Sequence, residues 1–87
     1  MWYTYVLQSL KNKRLYTGVT SSVIRRLKEH NNKIGGEYTS KNGPFKLIFY
    51  EGYLDKFDAL KAEKFFKSGY GREVLKDKLE HFLKYHK

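Results

Sequence analysis

The chain has 87 residues, enough for one domain with a modest core, and it contains no cysteine, which excludes disulfides, thiolate metal sites and cysteine nucleophiles. Its 18 Lys and Arg against nine Asp and Glu give a net charge of +9, which favours a polyanionic partner such as nucleic acid. The sequence has neither an apolar run long enough to cross a bilayer nor the pattern of a signal peptide, so we expect a cytoplasmic protein without membrane contact.

Apolar periodicity and turn signals predict three strands and three helices. The first strand alternates two sets of bulky residues, which is typical of a strand buried on both faces. Serine and aspartate supply amino-terminal caps for the first two helices, and two glycines within 68–71 are expected to separate the second helix from the third. The predicted strands are 2–8, 15–20 and 45–53; the predicted helices run from a cap at Ser21 or Ser22 to about Asn31, from a cap at Asp55 to Lys67, and from about Arg72 to Tyr85.

The predicted element order, β-β-α-β-α-α, indicates an α+β fold. A short polar turn joins the first two strands into a β-hairpin, and the complete sheet is expected to contain three antiparallel strands flanked by helices. No repeat, low-complexity tract or linker interrupts the sequence. Residues 1–87 are therefore expected to form a single domain.

The first predicted helix places two polar residues beside its apolar face. Successive residues turn by about 100° around a helix, so Arg26 and His30, four residues apart, lie on one edge of that face. Arg25 and Glu29 point toward solvent in the same projection. The two adjacent arginines are therefore not equivalent, because only Arg26 is expected close to the sheet.

The second predicted helix places a carboxylate, Glu63, on its apolar side. The apolar residues of that side are Ala59, Leu60, Ala62 and Phe66. A carboxylate in apolar surroundings is costly unless a cation or hydrogen-bond donors satisfy it. Either a bound metal or an internal ion pair with Arg26 would do so, and both interpretations remain open.

The hairpin contributes two tyrosines, Tyr5 and Tyr16, which lie on neighbouring strands and could face each other. A phenol can donate to phosphate, position a water, or act as a base when nearby cations lower its pKa. For this pair alone, cross-strand aromatic packing is the simpler interpretation. Together, however, a guanidinium, two phenols, an imidazole and a carboxylate suit phosphodiester hydrolysis, in which arginine stabilises the charged phosphate and the carboxylate anchors a hydrated Mg²⁺.

The hairpin also resembles the signature of the GIY-YIG nuclease superfamily. Tyr3-Thr4-Tyr5 is followed after ten residues by Tyr16-Thr17-Gly18, which is similar to the two-part signature of that family and keeps its tyrosines. Segments 19–31 and 59–64 resemble the family's first helix and the segment that carries its metal-binding glutamate. The likeness covers nearly the whole chain and is closest to small stand-alone members, which are similar to the nuclease domain of the bacterial repair excinuclease.

The resemblance implies a catalytic role for five residues of this chain. Tyr5 and Tyr16 would orient or deprotonate the attacking water. Arg26 would contact the scissile phosphate, and His30 would handle protons or position the phosphate. Glu63 would hold Mg²⁺ or Mn²⁺.

Three further residues are candidates for nucleic-acid binding. By the same resemblance, Gly18 would allow the end of its strand to approach the phosphate closely. Lys67 and Arg72 flank the glycine-containing segment just before the third predicted helix, and a helix amino terminus can bind phosphate. An ordinary interhelical turn is the alternative interpretation of that segment.

These features predict a metal-dependent endonuclease that acts on DNA, directed at structured or damaged substrates in repair or recombination. The alternatives are a non-catalytic nucleic-acid-binding module and an accessory protein whose protein partner supplies the substrate. Glu63 favours the enzyme, because a carboxylate near phosphate weakens binding unless a cation lies between them.

Overall fold

The computed structural model describes residues 1–32 and 41–86. The strands are β1 (Trp2–Ser9), β2 (Leu15–Thr20) and β3 (Phe45–Tyr53), and the helices of the described residues are α1 (Val23–Asn31), α2 (Lys56–Lys67), α3 (Gly69–Lys78) and α4 (Glu80–Tyr85). The strands form an antiparallel sheet in the order β2-β1-β3, which confirms the predicted α+β class and three-stranded sheet. None of these helices is both long and apolar enough to span a membrane.

Strand β1 lies at the centre of the sheet and pairs with β2 on one side and β3 on the other. Residues 4–9 of this strand are all buried, which confirms the prediction that both of its faces are covered. One row of its side chains packs on the side of α1, and the other packs against α2 and α3. The buried clusters are Tyr5, Leu7 and Phe45 on the α1 side, and Val6, Phe66 and Leu75 on the opposite side. The sheet therefore lies between α1 and the α2–α3 pair.

Side-chain caps set the starts of α1 and α2. The hydroxyl of Ser22 accepts a hydrogen bond from the amide of Arg25, and the carboxylate of Asp55 accepts one from the amide of Phe57. Such a cap satisfies one of the amides left unpaired in the first turn of a helix. Both predicted starts are confirmed, with Ser22 rather than Ser21 as the first cap.

The third predicted helix, 72–85, is wrong in two respects. Helix α3 begins before Arg72, at Gly69, and the helical segment is interrupted at Leu79. The hydroxyl of Ser68 accepts a hydrogen bond from the amide of Gly71, so a capped helix start replaces the predicted break. The apolar residues that predicted a single helix continue at helical spacing across Leu79, so their pattern could not reveal the interruption.

Gly71 marks a close approach between α3 and α2. A side chain at this position would overlap the carbonyl oxygen of Phe65, whereas a side chain at Gly69 would have no heavy atom within 4 Å. We expect Gly71→Ala to lower the free energy of unfolding by about 2–3 kcal/mol, because backbone atoms cannot move aside as a flexible side chain can. Urea denaturation followed by circular dichroism measures this change.

Gly69→Ala is the matched control, since both glycines lie in the first turn of α3. This substitution should leave the free energy of unfolding unchanged or raise it by up to about 1 kcal/mol, the helical preference of alanine over glycine. Equal destabilisation by the two substitutions would show that the approach to Phe65 does not limit stability.

Candidate active site

Tyr5, Tyr16 and His30 form an aromatic cluster on the α1 side of the sheet. The hydroxyl of Tyr5 lies 3.0 Å from Nε2 of His30, and the centroid of the Tyr16 ring lies 5.1 Å from that of the His30 ring. The strand register pairs Tyr5 with Gly18 and Tyr16 with Leu7, so the two phenols do not face each other directly. They lie on the same side of the sheet, and the imidazole of His30 links them.

Gly18 has a packing role in this cluster. A Cβ at this position would lie only 2.5 Å from the hydroxyl oxygen of Tyr5. The glycine therefore gives the phenol room to lie across β2 and reach His30. Contact between Gly18 and nucleic acid stays a prediction from the family resemblance.

Arg26 extends from α1 toward the same cluster. Its guanidinium interacts with the hydroxyl of Tyr5 and forms an ion pair with Glu29, with Nη1 and Oε1 3.1 Å apart. Burial acts to lower the pKa of Arg26, but the hydrogen bonds with Glu29 and Tyr5 outweigh it and raise the pKa above its ordinary value. Arg25 is exposed, which confirms the predicted difference between the two arginines. The predicted orientation of Glu29 toward solvent is wrong, because the ion pair draws its carboxylate to Arg26.

Burial keeps the Tyr5–His30 pair uncharged at neutral pH. It raises the pKa of Tyr5 to about 12, and the opposing effect of Arg26 is smaller. The negative charges of Tyr16 and Glu63 also raise this pKa, so the carboxylate of Glu63 lies within electrostatic range of the phenol. Burial, together with the positive charge of Arg26, lowers the pKa of His30. Arg26 therefore does not depress the pKa of Tyr5, as a phenolate base activated by a cation would require.

Glu63 lies on α2 with its side chain 24% exposed, and its Oε2 is 3.1 Å from Nζ of Lys67. The helix is fixed against β1 one turn earlier, where Oγ1 of Thr4 donates a hydrogen bond to the carbonyl oxygen of Ala59 at 2.7 Å. Arg26 and Glu63 are both among the described residues, and no ion pair joins them. The interpretation of Glu63 as an internal partner of Arg26 is therefore wrong.

The donors around Glu63 fit a hydrated divalent cation rather than a metal held by protein alone. Residues 1–32 and 41–86 contain no group of three or more His, Cys, Asp or Glu side chains placed to hold a metal. Mg²⁺ commonly uses only one or two carboxylates, because it keeps several waters and takes substrate phosphate as a ligand. The ion pair between Glu63 and Lys67 has i,i+4 spacing and contributes about 0.3–0.5 kcal/mol, so a divalent cation can displace the lysine.

Lys67 and Arg72 line a groove beside β2 that also contains Tyr16. Arg72 does not stand at the amino terminus of its helix, since α3 begins before it, and the hydroxyl of Ser68 already satisfies the amide of Gly71. The phosphate site predicted just before Arg72 is therefore misplaced. Nucleic-acid binding by the side chains of Lys67 and Arg72 stays a prediction.

Comparison with known proteins identifies the family. Residues 1–78 match the family model described as the GIY-YIG catalytic domain. The chain belongs to the GIY-YIG family. Its GIY-YIG relatives include a UPF0213 protein of Clostridium perfringens, 40% identical over 67 residues that cover 77% of this chain and 71% of that protein. A UPF0213 protein of Limosilactobacillus reuteri is 40% identical over 82 residues, which cover 92% of this chain and 84% of that protein.

A solved structure is similar to this GIY-YIG chain as well. The solution NMR structure of a UPF0213 protein from Bacillus halodurans has 36% sequence identity and a TM-score of 0.51, and the match covers 86% of this chain and 82% of that chain. The family resemblance inferred from the hairpin signature is therefore confirmed.

Sequence reasoning misses two features of this GIY-YIG site. The first is Glu29 as the partner of Arg26, which the i,i+3 spacing of the pair could have indicated. The second is the pair Lys13 and Arg14, which line the groove beside Tyr16. These two cations are visible in the turn before β2, but their proximity to α2 and α3 depends on tertiary packing.

Proposed function

We propose that the chain is a divalent-metal-dependent endonuclease that hydrolyses phosphodiester bonds of DNA. The observation that carries the proposal is the convergence of side chains from β1, α1 and α2: Tyr5 interacts with His30 and Arg26, and Glu63 lies within electrostatic range of the same phenol. Membership of the GIY-YIG family and the net charge of +9 both favour a nucleic-acid substrate.

Arg26 would bind the scissile phosphate. A planar guanidinium donates two parallel hydrogen bonds to phosphate oxygens, and the raised pKa of Arg26 keeps it charged throughout the reaction. The partly exposed ion pair with Glu29 holds the side chain beside Tyr5. Negative charge that develops on the phosphate in the transition state would then meet a cation already in place.

Tyr5 and His30 would move the proton of the attacking water. Because Tyr5 has a pKa of about 12, its phenol stays protonated and would accept a proton only while passing its own to Nε2 of His30. The lowered pKa of His30 leaves the imidazole neutral, and one of its tautomers accepts at Nε2. Tyr16, which packs against the same imidazole, would orient the water.

Glu63 would hold Mg²⁺ or Mn²⁺ together with the substrate phosphate. When bound, such an ion supplies charge stabilisation at phosphoryl oxygens and a lower pKa for a coordinated water. Glu63 would exchange Lys67 for the ion, which releases the ammonium group of Lys67 for a DNA phosphate. Arg72 would contact a second phosphate, and Gly18 would keep the end of β2 open to the strand.

The substrate in this proposal is defined by DNA structure or damage, in repair or recombination, rather than by base sequence. The cationic side chains assigned to the substrate, Arg26, Lys67 and Arg72, all contact phosphates. Phosphate contacts position a protein on DNA but carry no sequence information. Branched, nicked and single-stranded DNA are therefore the substrates of choice for a first assay.

Incubation of the purified protein with these DNAs tests the proposal. Cleavage is expected with Mg²⁺ or Mn²⁺ and should stop when EDTA removes the ion. Glu63→Ala, purified in the same way, should be inactive, whereas a contaminating nuclease would survive that substitution. Binding without cleavage in either metal, unchanged by Glu63→Ala, would instead indicate a non-catalytic nucleic-acid-binding module.

A further inference from the structure

A groove of about 640 Å³ lies beside the edge strand β2, between that strand and the helices α2 and α3. Apolar side chains form its floor: Leu15 is half-buried, and Phe66 and Leu75 are buried. Sites for small organic ligands typically have volumes of about 300–1,000 Å³, so the groove can take a group of the size of a nucleotide.

Among the described residues that line this groove, every charged one is a cation. These residues are Lys13, Arg14, Lys67, Arg72 and Lys76. Carboxylates outside the groove pair with two of the lysines, Glu63 with Lys67 at 3.1 Å and Glu73 with Lys76 at 3.8 Å. An apolar floor with a cationic rim is complementary to a nucleotide, whose base is flat and neutral and whose phosphates are anionic.

The groove is continuous with the candidate active site. Tyr16 lines the groove and packs against His30, and Lys67 lines the groove and pairs with Glu63. A DNA strand whose scissile phosphate is bound at Arg26 would therefore have its neighbouring nucleotide at the mouth of the groove.

We propose that the groove binds one unpaired nucleotide of the DNA strand beside the scissile phosphate. The base would lie on the apolar floor next to the ring of Tyr16, and the adjacent phosphates would contact Arg14 and Arg72. In a duplex both faces of a base are stacked and its edge is paired, so only an unpaired nucleotide enters such a groove. The inference rests on the proposed function for the position of the scissile phosphate, and it narrows the substrate to DNA with a single-stranded segment at the cut.

An NMR titration of the ¹⁵N-labelled protein with a thymidine trinucleotide tests the location of the site. EDTA is present, so that no cleavage occurs. Shift changes are expected at the amides of residues 13–17, 66–67 and 72–76. An abasic trinucleotide of equal charge should bind about tenfold more weakly, because base stacking is lost. Equal affinity for the two ligands, or shift changes confined to other surfaces, would overturn the proposal.

The rim cations are tested with a single-stranded 12-nucleotide DNA and fluorescence anisotropy over a range of salt concentrations. Replacing Arg14 and Arg72 together by alanine should reduce the slope of log affinity against log salt by about 1.4, from about 0.7 for each lost phosphate contact. The control double variant, Lys61→Ala with Lys78→Ala, removes the same charge from exposed lysines outside the groove. A similar loss in both double variants would mean that only net charge matters, which contradicts the proposal.

These binding measurements contain no metal, so their outcome does not depend on catalysis. Base-dependent binding in the groove without any cleavage would support the groove assignment and contradict the endonuclease. Cleavage that is indifferent to the removal of bases beside the cut would support the endonuclease and overturn the groove assignment.

Discussion

Replacing Arg26 by alanine is expected to slow DNA cleavage by about 10²–10³-fold, the cost of removing a donor that stabilises charge in the transition state. The guanidinium of Arg26 lies at the hydroxyl of Tyr5, and its raised pKa keeps it charged at every pH of interest. Alanine removes both the charge and the paired hydrogen-bond donors. Single-turnover cleavage with protein in excess over DNA measures the chemical step, and anisotropy in EDTA measures binding separately.

Arg25→Ala is the matched control, because Arg25 is the exposed neighbour on the same helix and its loss changes the net charge equally. The cleavage rate of this variant should stay close to that of the wild type. Arg26→Lys keeps the charge without the planar fork and should recover only part of the rate. Stability should change little, since a partly exposed pair such as Arg26–Glu29 contributes about 0–1 kcal/mol. Equal loss of rate in Arg25→Ala and Arg26→Ala would exclude a specific role for Arg26.

The strands and the helix starts were predictable because their signals are local. Alternating bulky residues and turn signals place the ends of all three strands within one residue of the observed ends. Ser22 and Asp55 act through hydrogen bonds to amides only two or three residues away, so a short window of sequence contains the whole interaction. The family signature is equally local, since Tyr5 and Tyr16 lie on consecutive strands.

Features that depend on contacts between elements could not be predicted in this way. The glycines of 68–71 indicate a loop by composition, yet Gly71 lies inside α3 where that helix approaches the carbonyl group of Phe65. Leu60 belongs to the predicted apolar arc of α2, but its side chain is exposed, because the helix turns Ala59 and Phe66 toward the sheet instead.

The partners of the charged site residues were the least predictable part of the site. Helical projection places Arg26 near the sheet and Glu63 on an apolar side, and both placements are compatible with an ion pair between them. In the structure Arg26 pairs with Glu29 and Glu63 pairs with Lys67, each within its own helix. Pairs of this kind differ by less than about 1 kcal/mol, so residue spacing alone does not decide between them.

Glu63→Gln is expected to reduce metal-dependent cleavage by about 10²-fold or more, because a catalytic metal contributes several kcal/mol of charge stabilisation. Glutamine keeps the size of the side chain but cannot supply an anionic ligand to the ion. Cleavage rates measured across a series of Mg²⁺ concentrations give the effect. Glu73→Gln is the control, since Glu73 is 74% exposed, pairs weakly with Lys76 at 3.8 Å and carries the same charge. Its rate should match that of the wild type.

Binding and cleavage should change in opposite directions in Glu63→Gln. Loss of the carboxylate frees Lys67 and removes a negative charge beside the phosphates, so DNA affinity in EDTA should rise or stay constant. If Glu63 acted only through its field, its removal would favour the approach of DNA and leave the chemical step intact. If Glu63 only stabilised α2, affinity and rate would fall together with the free energy of unfolding. A slower chemical step on DNA that binds equally well or better therefore requires a cation that this carboxylate holds.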